Sequence, residues 1–286
     1  MNNKTKAIIF IIISAFGFAI MSTFVKLSGN LPSIEKSFFR NSVSCVVAFY
    51  LIKKSGAPLF GKKENRVPLL LRSLFGTLGI IANYYAIDHL ILSDASMLNK
   101  LSPFFVIIFS FIFLKEDLKL IQGIALVVAF LGSVFIIKPS FNSNLLPALI
   151  GVLSATCAGG AYTFVRYLGG KEKGQTIVFF FSFFSIVTTL PFVILQFKLF
   201  TLNQFICLLG AGVFASVAQF ALTAAYKYAP AREISIYDYT QILFTALIAF
   251  VIWGDIPDYL SIIGYVLILS ASIIVFIYNN KKDAQA

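Results

Sequence analysis

The chain has 286 residues, of which 59% are hydrophobic, 16% aromatic and only 12% charged. Soluble domains devote near a quarter of their residues to charge, so a water-soluble fold is excluded. The 23 Lys+Arg against 12 Asp+Glu give a net charge of +11, but the basic residues cluster beside apolar runs, as at Lys53, Lys54, Lys62, Lys63 and Arg66. Positive cytoplasmic loops account for that excess, and there is no basic soluble domain to make nucleic acid a partner.

Taken in order, apolar runs of about 20 residues between polar interruptions predict ten spans: Thr5 to Ser28, Ser33 to Ile52, Val67 to Ile87, Ser93 to Leu114, Leu118 to Ile137, Leu145 to Leu168, Gln175 to Gln196, Asn203 to Tyr228, Arg232 to Trp253 and Pro257 to Tyr278. The first could pass for a signal peptide, with Lys4 and Lys6 ahead of it, but its apolar stretch runs on to Leu27 without a small-residue cleavage site. The loops leave no room for a soluble domain. Cys45, Cys157 and Cys207 all sit inside apolar runs and read as small buried hydrophobes. With an even number of spans, sixteen basic residues fall on the side of the termini and four (Lys26, Lys36, Lys138, Lys198) on the other. That asymmetry predicts cytoplasmic termini.

The chain also resembles itself. A shift of 140 places Thr23-Phe24-Val25-Lys26 on Thr163-Phe164-Val165-Arg166, and a shift of 139 matches Asp94 to Glu233, Asn99 to Asp238, Phe105 to Phe244 and Glu116 to Asp255. The repeats are expected at 1–140 and 141–286. Each holds an odd number of spans, five, so the second copy enters the membrane upside down, as in the inverted repeats of secondary transporters. The expected fold is an all-α membrane protein of ten transmembrane helices in two inverted five-helix repeats.

Phe16-Gly17, Arg40, the entry from Ser93 to Pro103, Lys115-Glu116 and the mirrored Gly254-Asp255 together resemble the drug/metabolite transporter superfamily, in its ten-helix branch of paired EamA-type repeats. The resemblance implies a carrier whose spans 1, 3, 4, 6, 8 and 9 line a central site. Phe16 stands where the family often has Trp. Ile242 occupies the repeat position of Pro103, so the ninth span is expected to lack the bend that proline gives the fourth. The stretch from Tyr237 to Asn280 is similar to the subgroup containing bacterial S-adenosylmethionine uptake carriers.

Enzyme chemistry has little to work with. A lone His89 leaves no triad or multi-histidine metal site, no phosphate-binding Walker motif is present, and no cofactor is called for. Polar groups inside the spans carry the functional weight, since a charge at the bilayer centre costs about 2.5 to 3.5 kcal/mol even on a lenient scale. Asp238, Gln241 and Thr245 share one face of the ninth span. Asn99 and Ser102, with Lys100 adjacent, occupy the equivalent place on the fourth.

These stripes read either as a substrate cavity or as interhelical glue; the lone Lys and lone Asp favour the cavity. By residue count from the predicted ends, Arg40 and Lys100 fall about 10 Å inside one surface and Asp238 about as far from the other. On that estimate a carboxylate would be drawn to Arg40 and Lys100, while Asp238 would take an amine or a coupling proton. A direct Lys100–Asp238 pair is the rival reading and would require side-chain stretching.

Tyr84, Tyr162, Tyr226, Tyr237 and Tyr239 are candidate lining residues, as buried phenols seek partners and can cage a cation. Lys26 and Arg72 are expected to snorkel. Glu116, Asp117, Asp255 and Asp258 read as solvated helix starts, and Asp94 and Glu233 as helix caps rather than gates.

The sequence thus predicts a multi-pass carrier of the bacterial cytoplasmic membrane, moving a small polar or zwitterionic, amino-acid-like metabolite. Arg40, Tyr84, Asn99, Lys100, Tyr162, Tyr237, Asp238 and Gln241 are its candidate substrate residues, and protons are a candidate coupling ion. Efflux of hydrophobic or cationic drugs and a membrane-embedded lipid-modifying enzyme are the alternatives.

Overall fold

The computed structural model describes residues 3–115, 120–137, 145–228 and 235–283, and all regular structure among them is helical. The helices are α1 (Asn3–Leu27), α2 (Ser33–Ser55), α3 (Arg66–His89), α4 (Leu92–Asn99), α5 (Ser102–Leu114), α6 (Leu120–Ile137), α7 (Leu145–Leu168), α8 (Gly174–Leu195), α9 (Leu202–Tyr228), α10 (Thr240–Trp253) and α11 (Tyr259–Asp283). Short 3-10 turns precede α3 and α10, the latter over Ser235–Tyr239.

Eight spans among the described residues are long and apolar enough to cross a membrane, with α4 and α5 counted as one. The ten are completed by α2, whose Glu35, Lys36, Arg40, Lys53 and Lys54 dilute its apolar character, and by the shorter apolar run Tyr237–Trp253. Large apolar side chains such as Leu120, Val251 and Leu195 face outward, as a helix in lipid requires once its backbone is bonded internally.

Inversion is visible in the packing. α1 lies along α9, and α3 along α7; exchanging the repeats turns the first pairing into the second. α2 packs on α8, α6 on α11 and α4 on α10, each pairing mapping onto itself. The α1/α9 seam is built from Ala7, Ala15, Ala19, Ala211, Ala215 and Ala218, all buried. Small residues let helices approach closely where no hydrophobic drive joins them.

Both central spans carry a tightened turn at the same repeat position, around Lys100 and up to Tyr239. In the first copy, Lys100 N–H donates to the Ser96 and Met97 carbonyls, and Leu101 and Phe104 make i→i−3 bonds before Pro103 opens α5. A proline there lacks an N–H and would clash with the Asn99 carbonyl in a continuous helix. The second copy has no such proline, yet it too is tightened, into the 3-10 turn that ends at Tyr239. Tertiary bonds hold this turn in place of a proline: Tyr239 Oη donates to the Lys100 carbonyl at 3.2 Å and accepts from Ser272 at 2.6 Å. The two spans also stop alike, in the left-handed region at Lys115 (φ 55°) and Gly254 (φ 69°). At Gly254 this closes a Schellman-type cap in which Asp255 N–H reaches the Ala249 carbonyl.

Candidate functional site

The two interruptions face each other, and across them the Lys100 ammonium donates to the Asp238 carboxylate in an ion pair. The depth estimate that set these residues a third of the membrane apart is thus overturned. It assumed straight helices counted from their predicted ends, whereas the breaks bring both residues to one level. The pair is not sealed: the Lys100 and Asp238 side chains keep 9% and 25% of their exposure. Asp238 Oδ1 has no hydrogen-bond partner among the described residues.

Beside the pair lies a second cluster. Tyr162 on α7 has Arg72, Arg40 and Asp238 as its charged neighbours, and it is 40% exposed although Arg40 and Arg72 are buried. Arg40 donates from Nη1 to Asn41 Oδ1 at 2.6 Å and has Tyr84 as a neighbour, whose hydroxyl points to Met21 Sδ at 3.6 Å. Asn41 is itself fixed by Ser185 at 2.8 Å and Ser37 at 3.3 Å.

Arg72 does not snorkel. It is 5% exposed, and its guanidinium sits 3.7 Å from the centroid of the Phe181 ring, the same ring that Arg40 approaches at 5.8 Å.

Arg40, Tyr84, Lys100, Tyr162 and Asp238 are thereby brought together. Asn99 turns to α7, donating to Ser154 Oγ at 3.1 Å. Gln241 is half-buried one turn beyond Asp238. Tyr237 packs away from the cluster, against Ala7, Ile11, Leu222 and Ala225. Arg72 and Phe181 were missed as central residues. A signal for the first lay in the charge inventory: setting aside the basic residues at either end of the spans leaves Arg40, Lys100 and Arg72.

Other expectations are redrawn by side-chain geometry. Asp94, in the first turn of α4, accepts from Tyr265 of α11 at 2.6 Å. Asp255 pairs with Lys26 at 3.1 Å rather than standing solvated, and Lys26 lies over Trp253 at 5.0 Å. Asp258 does cap α11, accepting from Ser261 N–H at 2.9 Å. Glu116, Asp117, Glu233 and the side chain of Tyr226 lie outside the described residues. Near one end of the bundle Lys36, with no side-chain exposure, bonds Asp88 of α3 at 2.6 Å and the Val25 carbonyl of α1 at 3.2 Å.

Ten spans in two inverted copies, with charged interruptions meeting at the centre, define a multi-pass membrane carrier. The EamA-like transporter family model matches residues 5–138 and again 145–277, and the chain belongs to that family. It is 35% identical over 266 residues to the pseudopaline exporter CntI of Pseudomonas aeruginosa, covering 92% of this chain and 93% of that one. An uncharacterized transporter of Helicobacter pylori is 26% identical over 275 residues, with 93% and 92% covered. Solute carrier family 35 member G1 of Homo sapiens is 24% identical over 280 residues, with 92% and 76% covered. One crystal structure superposes with a TM-score of 0.68 over 97% of this chain and 98% of that chain, at 12% identity, a likeness of fold alone. The family is one of transporters, which sets aside the enzyme reading.

Proposed function

We propose that this protein is a secondary active transporter of the bacterial cytoplasmic membrane, with cytoplasmic termini, that moves a small polar or zwitterionic metabolite by alternating access between repeats 1–140 and 141–286. The observation that carries this reading is the partly exposed Lys100–Asp238 pair at the junction of two broken spans. Buried charge of this kind is costly in a bilayer and marks solute or proton pathways, and broken helices at a repeat interface are where such sites form.

Arg40 and Lys100 receive a carboxylate, Tyr84 and Tyr162 flank it, and Asn99 and Gln241 complete the surrounding polar surface, while Tyr237 stands apart in its own apolar contact. Asp238 exchanges its bond to Lys100 for a proton or for the substrate's amine, which ties solute movement to protonation. The three central cations favour this solute class over hydrophobic or cationic drugs. Outward transport is the direction suggested by the relative described as an exporter. The partners are the solute, the coupling proton and the surrounding lipid; nucleic acid is not among them.

The test is solute flux in proteoliposomes under an imposed pH gradient. Asp238→Asn is expected to abolish the gradient's effect and slow flux at least tenfold. Unchanged flux and unchanged proton dependence in that variant would refute the coupling role.

A further inference from the structure

Among the described residues, the centre of the bundle holds more positive charge than Asp238 alone can balance. Lys100 is answered by Asp238, whereas no ion pair is found for Arg40 or Arg72 among the described residues. Both guanidinium groups are buried to within 5% of full burial and lie close enough to repel one another. Arg40 Nε, Arg72 Nε and Arg72 Nη1 are buried donors without a partner among the described residues.

The local architecture holds these groups in position. The Phe181 ring is shared by both cations, a contact that costs none of their N–H donors. Asn41, anchored by Ser185 and Ser37, turns its oxygen to Arg40 alone. What is left over is Nε and Nη1 of Arg72 and Nε of Arg40, donors of the planar group that pairs best with carboxylates. Two like charges in a space shielded from water are stabilised by a ligand that brings the opposite charge to each.

We infer that Arg40 and Arg72, held over Phe181, form a twin-guanidinium site, so that the transported solute carries at least two carboxylates rather than one. This rests on the carrier reading above and narrows its solute class. A solute with a third carboxylate would also compete with Asp238 for Lys100, linking its binding to protonation of Asp238.

The inference is tested on the purified full-length protein by thermal unfolding with butyrate, succinate, citrate and inorganic phosphate at matched ionic strength, since ligands of the folded state raise its midpoint. Apparent affinity is expected to rise at least tenfold from butyrate to succinate or citrate. Arg72→Gln and Arg40→Gln should each remove that rise, and Arg72→Lys should restore part of it. Removal of an unpaired buried charge leaves the unliganded protein at least as stable, so Arg72→Gln remains foldable.

Equal responses to butyrate and citrate, a response to phosphate alone, or an undiminished citrate response in Arg72→Gln overturns the inference. Flux separates this from failure of the carrier reading. Proteoliposomes that transport alanine without inhibition by citrate would leave the carrier standing and remove the twin site. Citrate binding without flux of any solute under any gradient would do the reverse.

Discussion

Lys100 at the break in the first repeat and Asp238 in the 3-10 turn of the second form an ion pair across the junction of the two copies. Because each residue is supplied by a different repeat, the pair can be exchanged without altering the fold. Lys100→Asp and Asp238→Lys each place like charges together and are expected to lower solute flux at least a hundredfold. The double exchange restores the attraction and should recover flux at least tenfold above either single variant. Proteoliposome flux on the three variants measures this.

Lys36 and Asp88 present the contrasting case, because the Lys36 side chain has no exposure. Removing one member of a buried pair strands the other and costs about 3–5 kcal/mol. Asp88→Asn is therefore expected to lower the thermal unfolding midpoint by several degrees. Lys36→Met combined with Asp88→Asn should recover most of that loss. Lys100→Met should cost less than Asp88→Asn, because Asp238 retains contact with water.

Close helix packing makes a separate prediction. A Cβ on Gly159 of α7 would collide with Phe105 Cβ and lie 3.1 Å from the Ser102 carbonyl, so α5 and α7 touch there through the missing side chain. Gly159→Ala is expected to cost about 1–3 kcal/mol as overpacking. Gly123→Ala meets nothing within 4 Å and should be neutral or slightly stabilising. Unfolding midpoints of the two variants in one detergent give the comparison.

Sidedness follows from which loops touch. Lys198 donates to the Asn30 carbonyl at 2.7 Å, joining the α1–α2 and α8–α9 connections on one face. Glu172 accepts from Lys62 N–H at 2.8 Å and Asn65 at 2.7 Å, joining the α2–α3 and α7–α8 connections on the other. With cytoplasmic termini, Asn30→Cys is expected to react with a membrane-impermeant maleimide in spheroplasts, and Lys171→Cys only after permeabilisation. The reverse pattern would invert the assigned orientation.

Hydropathy made the spans legible because a lipid-facing helix must be apolar over a fixed length, and the repeat was legible because both copies kept polar residues in register, as at Asn99 and Asp238. The proline at 103 announced one break. The other rests on contacts between Tyr239, Lys100 and Ser272, which no local pattern encodes. Depth was misjudged for the same reason, since a count at the α-helical rise from predicted ends cannot register a 3-10 turn, whose rise differs. Arg72 was legible as a charge yet not as a central one. Its position depends on Phe181 from a helix more than a hundred residues away, and nothing in the neighbourhood of either residue marks them as partners.

Arg40 of α2 meets Phe181 of α8, the corresponding span of the other copy. Lys100 and Tyr239 are equivalents at the shift of 139, a cation matched by an aromatic ring. Two copies of the first half assembled as a homodimer would supply neither Phe181 nor Asp238. Fusion of the halves into one polypeptide therefore permitted a division of labour, and a gene encoding either half by itself could not rebuild this centre.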